Sequence, residues 1–117
     1  MKIPENGYLL RIFLGESDRW HGMPLYEALV LKARELHLAG ATVLRGPMGF
    51  GAKSRLHTAK ILRLSEDLPL IIEFVDSKEK LDTFMPLLDD MLRDGLVTLE
   101  PVQIIKYRAD GQDLVFS

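Results

Sequence analysis

Two short runs, Tyr8 to Leu14 and Leu68 to Val75, carry apolar side chains on both faces of an extended backbone. Successive side chains of a strand point to opposite faces of its sheet. Leu10, Ile12, Ile72 and Phe74 therefore oppose Leu9, Phe13, Ile71 and Val75, and both faces of the sheet must be covered. Two stripes at helical spacing supply one cover. The first follows Pro24, a residue suited to a first helical turn, and contains Leu25, Ala28, Leu29, Ala33 and Leu36, with Lys32 at its edge and Gly40 as its natural stop. The second contains Leu81, Phe84, Met85, Leu88 and Leu92 and opens on Asp76-Ser77-Lys78-Glu79, a cap-like start with an acid three residues on. Pro86 inside it is expected to kink or split the helix, and Gly95 closes it.

Ala41 to Arg45 and Val97 to Tyr107 complete the pattern as second and fourth strands, and Pro101 marks the last as an edge or bulged strand. The order is β-α-β-β-α-β. Right-handed crossovers leave few folds for it, and the leading one is α+β: a ferredoxin-like βαββαβ sandwich, an antiparallel sheet with two helices on one face. One helical layer leaves the second apolar face to another subunit.

The 117 residues fit a single domain, 1–117, with no repeats or linkers. With 47% hydrophobic and 27% charged residues the chain reads as globular. Cysteine is absent, which excludes disulfides and thiolate metal sites and agrees with a cytoplasmic setting. No run is long and apolar enough to span a bilayer, and the start lacks the pattern of a signal peptide. The net charge of −2 gives little general attraction to nucleic acid.

Charge is distributed unevenly. Arg45, Lys53, Arg55, Lys60 and Arg63 occur between positions 45 and 65 without an acid, whereas acids gather from Asp76 to Asp94. The same segment holds Gly46, Gly49 and Gly51. Glycines let backbone amides approach a ligand and cations neutralise it, so the segment reads as an anion site, most naturally for nucleotide phosphates. It is neither a P-loop, since Ala52 separates Gly51 from Lys53-Ser54, nor a dinucleotide fingerprint, since position 54 is serine.

Gly49-Phe50-Gly51 followed by Lys53, Arg55 and His57-Thr58 resembles the start of the T-loop of PII signalling proteins. Ile105-Lys106-Tyr107-Arg108-Ala109-Asp110-Gly111 resembles their C-terminal pair of cations. Closer still is the resemblance to the PII-like family called domain of unknown function 190, carried by Trp20 to Glu27, Ala39 to Gly46 and Gly49 to Leu68-Pro69. The resemblance implies a non-catalytic regulatory protein, a homotrimer that binds an adenine nucleotide (AMP, ADP or ATP) between subunits. It implies contacts from Gly49, Phe50, Gly51, Lys53, Lys106 and Arg108, and a signalling loop, 52–67, that meets a protein partner. For PII proteins such a partner can be a membrane transporter or channel. Arg93 and Gly95 are weak substitutes for the Gly- and Lys-rich phosphate loop of PII proteins. No tyrosine lies between Gly51 and Asp67, which excludes tyrosine modification there.

Other readings fit less well. His21, His37 and His57 lack carboxylates at ligand spacing, so no metal is expected. His37 reads as a favourable charge at a helix end, Trp20-His21 as a packed loop or a base-stacking lid, and Asp89, Asp90 and Asp94 as a solvated face. Ser54 and His57 have no acid to complete a triad. An acylphosphatase-like phosphate-transfer enzyme is the alternative on this fold, but the only Asn is Asn6, ahead of the first strand. RNA binding would need aromatics on the third strand, which has Phe74 alone.

Overall fold

The computed structural model describes residues 5–50, 57–58 and 68–115. Its elements are β1 (Glu5–Gly15), β2 (Arg19–Trp20), β3 (Met23–Pro24), α1 (Leu25–Glu35), β4 (Thr42–Arg45), β5 (Met48–Gly49), β6 (His57–Thr58), β7 (Pro69–Asp76), α2 (Lys78–Met91), β8 (Leu96–Ile104), β9 (Arg108–Ala109) and β10 (Gln112–Asp113). The main sheet has the order β4-β7-β1-β8, with every neighbouring pair antiparallel. That order and the two crossover helices define the ferredoxin-like fold. Three two-stranded ladders, β2–β3, β5–β6 and β9–β10, decorate it.

The alternation in the sequence decides which face meets the helices. Leu10, Ile12, Leu14, Leu70, Ile72 and Phe74 are buried with Leu25, Ala28, Leu29 and Ala33 of α1 and Leu81, Phe84, Leu88 and Met91 of α2. Phe74 and Phe84 meet at 5.2 Å with their rings tilted by 55°, a favoured aromatic geometry. On the opposite face, register aligns Leu44, Ile71, Phe13 and Leu96 in one row across all four strands. Among the described residues no helix covers it, and Leu44 and Leu96 are 45% and 57% exposed.

Each end of the helices shows how local chemistry meets the fold. Ser77 caps α2 by accepting a hydrogen bond from the Lys80 amide at 3.2 Å. Asp76, just before it, is buried and accepts from the amides of Ala39 and Ser77, both at 2.7 Å. It thus ties the entry to β4 to the start of α2. Pro86 does not split the helix: α2 runs through it unbroken to Met91. Pro86 is exposed, so the backbone carbonyl its missing amide leaves unbonded lies on the side where water can serve it.

Helix α1 stops earlier than Gly40 suggested. Its cap is Leu36, and His37 takes the left-handed conformation with φ 62°. The amides of Leu38 and His37 donate to the carbonyls of Ala33 and Arg34, the two bonds of a Schellman motif. The helix therefore ends on a histidine where glycine is the ordinary occupant. Among the described residues no helix is long and apolar enough to cross a membrane. His37→Gly should raise stability by about 0.5–1 kcal/mol and His37→Val should lower it by about 1–2 kcal/mol, read by thermal unfolding, because any Cβ crowds a left-handed backbone and a β-branched one crowds it most.

Candidate functional site

The glycine-rich segment leaves β4 at the edge of the sheet and folds back over Pro69. The Gly46 amide donates to the Pro69 carbonyl at 2.7 Å. A Cβ on Gly46 or on Gly49 would stand 3.0 Å from Pro69 Cγ. Neither glycine has a positive φ, so close approach rather than an unusual turn demands them here, and the group that approaches is the proline ring. Gly49 then pairs with His57 in the β5–β6 ladder, and Phe50 stands 74% exposed beyond it. Gly51, Lys53 and most of the loop 52–67 lie outside the described residues. Arg45, at the head of the segment, is ion-paired to Glu16.

Arg93 and Gly95 occupy the turn from α2 to β8. Gly95 has φ 153°, and a Cβ there would come within 2.5 Å of the Phe13 carbonyl oxygen. Glycine is thus required for the turn to pass over β1. Arg93 is exposed and has no ion-pair partner among the described residues. This turn lies at the same end of the sheet as Gly46 and Gly49, because Leu96 pairs with Phe13 and Gly15 with Pro69. It is on the opposite edge, three strand spacings or roughly 14 Å away.

Lys106 and Arg108 are at the other end. Strand β8 finishes opposite Glu5, and the chain returns across the top of the sheet so that the Tyr107 hydroxyl donates to the Ala39 carbonyl at 3.0 Å. Ala39 is itself held by Asp76, which pairs with Tyr8. Seven residues of β1, roughly 23 Å of strand, separate this level from Gly15 and Pro69. Arg108 donates through Nε to Asp113 Oδ1 at 2.7 Å, while Lys106 is exposed and has no ion pair among the described residues. A depression of about 340 Å³ at this end is lined by Asn6, Gly7, Tyr8, Pro101, Val102 and Gln103. It offers an anion no charged side chain. One chain therefore brings Gly49 and Phe50 to the same end as Arg93 and Gly95, and holds Lys106 and Arg108 away from them.

Two further features stand apart from these residues. On the uncovered sheet face Arg11 donates to Glu73 at 2.8 Å and to Glu100 at 3.0 Å. The bond to Glu73 is the main cause that holds its guanidinium above its ordinary pKa, against some desolvation. Beside α1, the turn of β2–β3 carries His21 and Gly22 with φ 48° and 82°, a tight hairpin whose Trp20 packs against the core. His21 stacks on Trp20 at 3.8 Å and 7°, with Lys32 Nζ 6.0 Å from the Trp20 ring centre. Among the described residues no three His, Cys, Asp or Glu side chains are grouped to hold a metal.

Comparison with known proteins gives this arrangement its context. The model of the DUF190 family, described as Uncharacterized ACR, matches residues 7–104. A UPF0166 protein of Aquifex aeolicus is 37% identical over 97 residues, 83% of this chain and 91% of that protein. One from Methanocaldococcus jannaschii is 31% identical over 99 residues, 84% and 91% of the two chains. Among solved structures, CPII from Thiomonas intermedia K12, a nitrogen regulatory PII-like protein bound to ADP, AMP and bicarbonate, superposes with a TM-score of 0.60 at 16% identity. That match covers 86% of this chain and 90% of CPII. The Bacillus subtilis GlnK-ATP complex superposes with a TM-score of 0.56 at 15% identity, over 83% and 82% of the chains. At such identities the likeness is one of fold.

The two kinds of glycine separate in a stability measurement. Gly95→Ala should cost at least about 2 kcal/mol in urea unfolding, since backbone meets the new Cβ. Gly49→Ala should cost about 1 kcal/mol, since a proline ring can shift. Equal costs would contradict this ranking.

Proposed function

This chain belongs to the DUF190 family, and from that premise we propose that it is a non-catalytic PII-like regulatory protein that binds an adenine nucleotide between two copies of itself. The observation that carries the reading is the separation of the candidate residues. A phosphate chain cannot reach from Phe50 to Arg108 of one molecule, but a neighbouring copy can bring its own Lys106 and Arg108 to the Gly49 end. The uncovered sheet face supports such an assembly. Its apolar row of Leu44, Ile71, Phe13 and Leu96 is followed by a polar row of Thr42, Glu73, Arg11 and Thr98. An exposed apolar row flanked by polar side chains is the pattern of a surface that meets another chain. The ADP and AMP in CPII and the ATP in GlnK favour an adenine nucleotide as the ligand, and the trimer is the assembly the PII resemblance implies.

In this reading Lys53, Lys106 and Arg108 neutralise the phosphates, and Gly49 and Gly51 let backbone amides approach them. Arg93 is the only cation of the short turn ahead of β8 and supplies at most a peripheral contact. The protein acts in the cytoplasm, and its loop 52–67 carries the signal to a protein partner, by analogy with PII proteins a membrane transporter or channel. Nucleotide shifts that loop only by binding its two states unequally. The bound group is read and released unchanged.

Calorimetric titration with AMP, ADP and ATP, together with mass by light scattering, tests this. An oligomer that binds at least one of the three is the expected result. Arg108→Ala should weaken that binding by about 1.5–3 kcal/mol, the loss of a charge-assisted hydrogen bond. A monomer indifferent to all three nucleotides would overturn the proposal.

A further inference from the structure

The end of the chain is built to set an acid against a cation. Asp110 and Gly111 have φ 53° and 76°, so the β9–β10 turn has a left-handed residue at both central positions, the two-residue form that fixes hairpin register. Register places Arg108 opposite Asp113. The Leu114 amide extends the ladder by donating to the Tyr107 carbonyl at 2.7 Å, and the Tyr107 hydroxyl pins its base to Ala39. The Arg108–Asp113 pair is therefore a product of backbone geometry rather than of two wandering side chains.

A guanidinium has five N–H donors, and here only Nε is engaged by the protein among the described residues. The carboxylate does two things at once. It holds the guanidinium from its Nε side, leaving the terminal nitrogens to meet a phosphate, and it places a negative charge beside that phosphate. Orientation helps every phosphate ligand alike. Repulsion grows with the charge of the ligand. From position 105 to 115 Lys106 and Arg108 are matched by Asp110 and Asp113, so the chain end itself carries no surplus of positive charge.

We propose that Asp113 is a specificity-determining residue that orients Arg108 while biasing the site toward adenine nucleotides with fewer phosphate charges. The inference rests on Arg108 as a phosphate contact, the reading given above. Asp113→Asn tests it, because the amide oxygen still accepts from Arg108 Nε while the charge is gone. Titrations of the full-length protein with AMP, ADP and ATP at low ionic strength, where screening is weak, should show a graded gain. ATP should bind about three- to fivefold more tightly and AMP less than about twofold more tightly, the scale of an exposed ion pair. Asp113→Ala, which removes orientation as well, should show the same graded change from AMP to ATP on a lower overall affinity. Equal changes for all three nucleotides in Asp113→Asn, or a loss, would overturn the role in specificity while leaving nucleotide binding intact. Failure of both wild type and variant to bind any of the three would overturn the underlying reading, and this inference with it.

Discussion

Strand β1 is hydrogen-bonded to β7 along one side and to β8 along the other, so its alternation fixes what each face of the sheet carries. Ile12 and Leu14 go to the helices, and Arg11 and Phe13 go to the uncovered side. A slip of one residue would exchange the faces and bury the Arg11 guanidinium among leucines and phenylalanines. The ion pairs of Arg11 with Glu73 and Glu100, one on each flanking strand, bind this register from the other face. With the register set, the helices have only one place to pack, and the apolar row through Phe13 and Ile71 has no cover among the described residues.

The same register sets the distance between the candidate phosphate contacts. Gly46 and Gly49 are held at the Pro69 level and the chain-end cations at the Asp76 level, on a sheet too rigid to bring them together. The glycines near Pro69 and at position 95 are explained by packing before any ligand is considered. Among the described candidates what remains for a ligand is the exposed set: Phe50, Arg93, Lys106, and the outward side of Arg108. In the proposed assembly of copies that scattered set would become a shared site, and the sheet face the helices leave open would be the surface by which copies meet.

Much of the fold is legible in the sequence, because β1, β7 and both helices bury side chains at regular spacing. The early stop of α1 is not, since the left-handed residue is His37 and glycine, the usual signal, comes three residues later. Pro86 does not break α2: a proline on the solvent side of a helix held by Leu81, Phe84 and Leu88 is outweighed by their burial. The Arg19–Pro24 hairpin and the β9–β10 hairpin are two residues per strand, too short for periodicity to register, although Asp110-Gly111 is itself a hairpin signal. The basic segment around Lys53 shows in the charge pattern, whereas Lys106 and Arg108 stand out only through resemblance to a family. Their separation follows from strand register, and Asp113 from a turn, neither of which spacing along the chain reveals.

The claim that a site is shared between copies is tested most directly by mixing two crippled chains. One carries Phe50→Ala with Lys53→Ala, the other Lys106→Ala with Arg108→Ala, and each alone should bind adenine nucleotide poorly. Unfolded together in equal amounts and refolded, they should regain binding at about a quarter of the sites, the share of interfaces in which an intact loop meets an intact chain end in a cyclic oligomer. Mixed oligomers, verified by mass, that recover no binding at all would contradict a shared site.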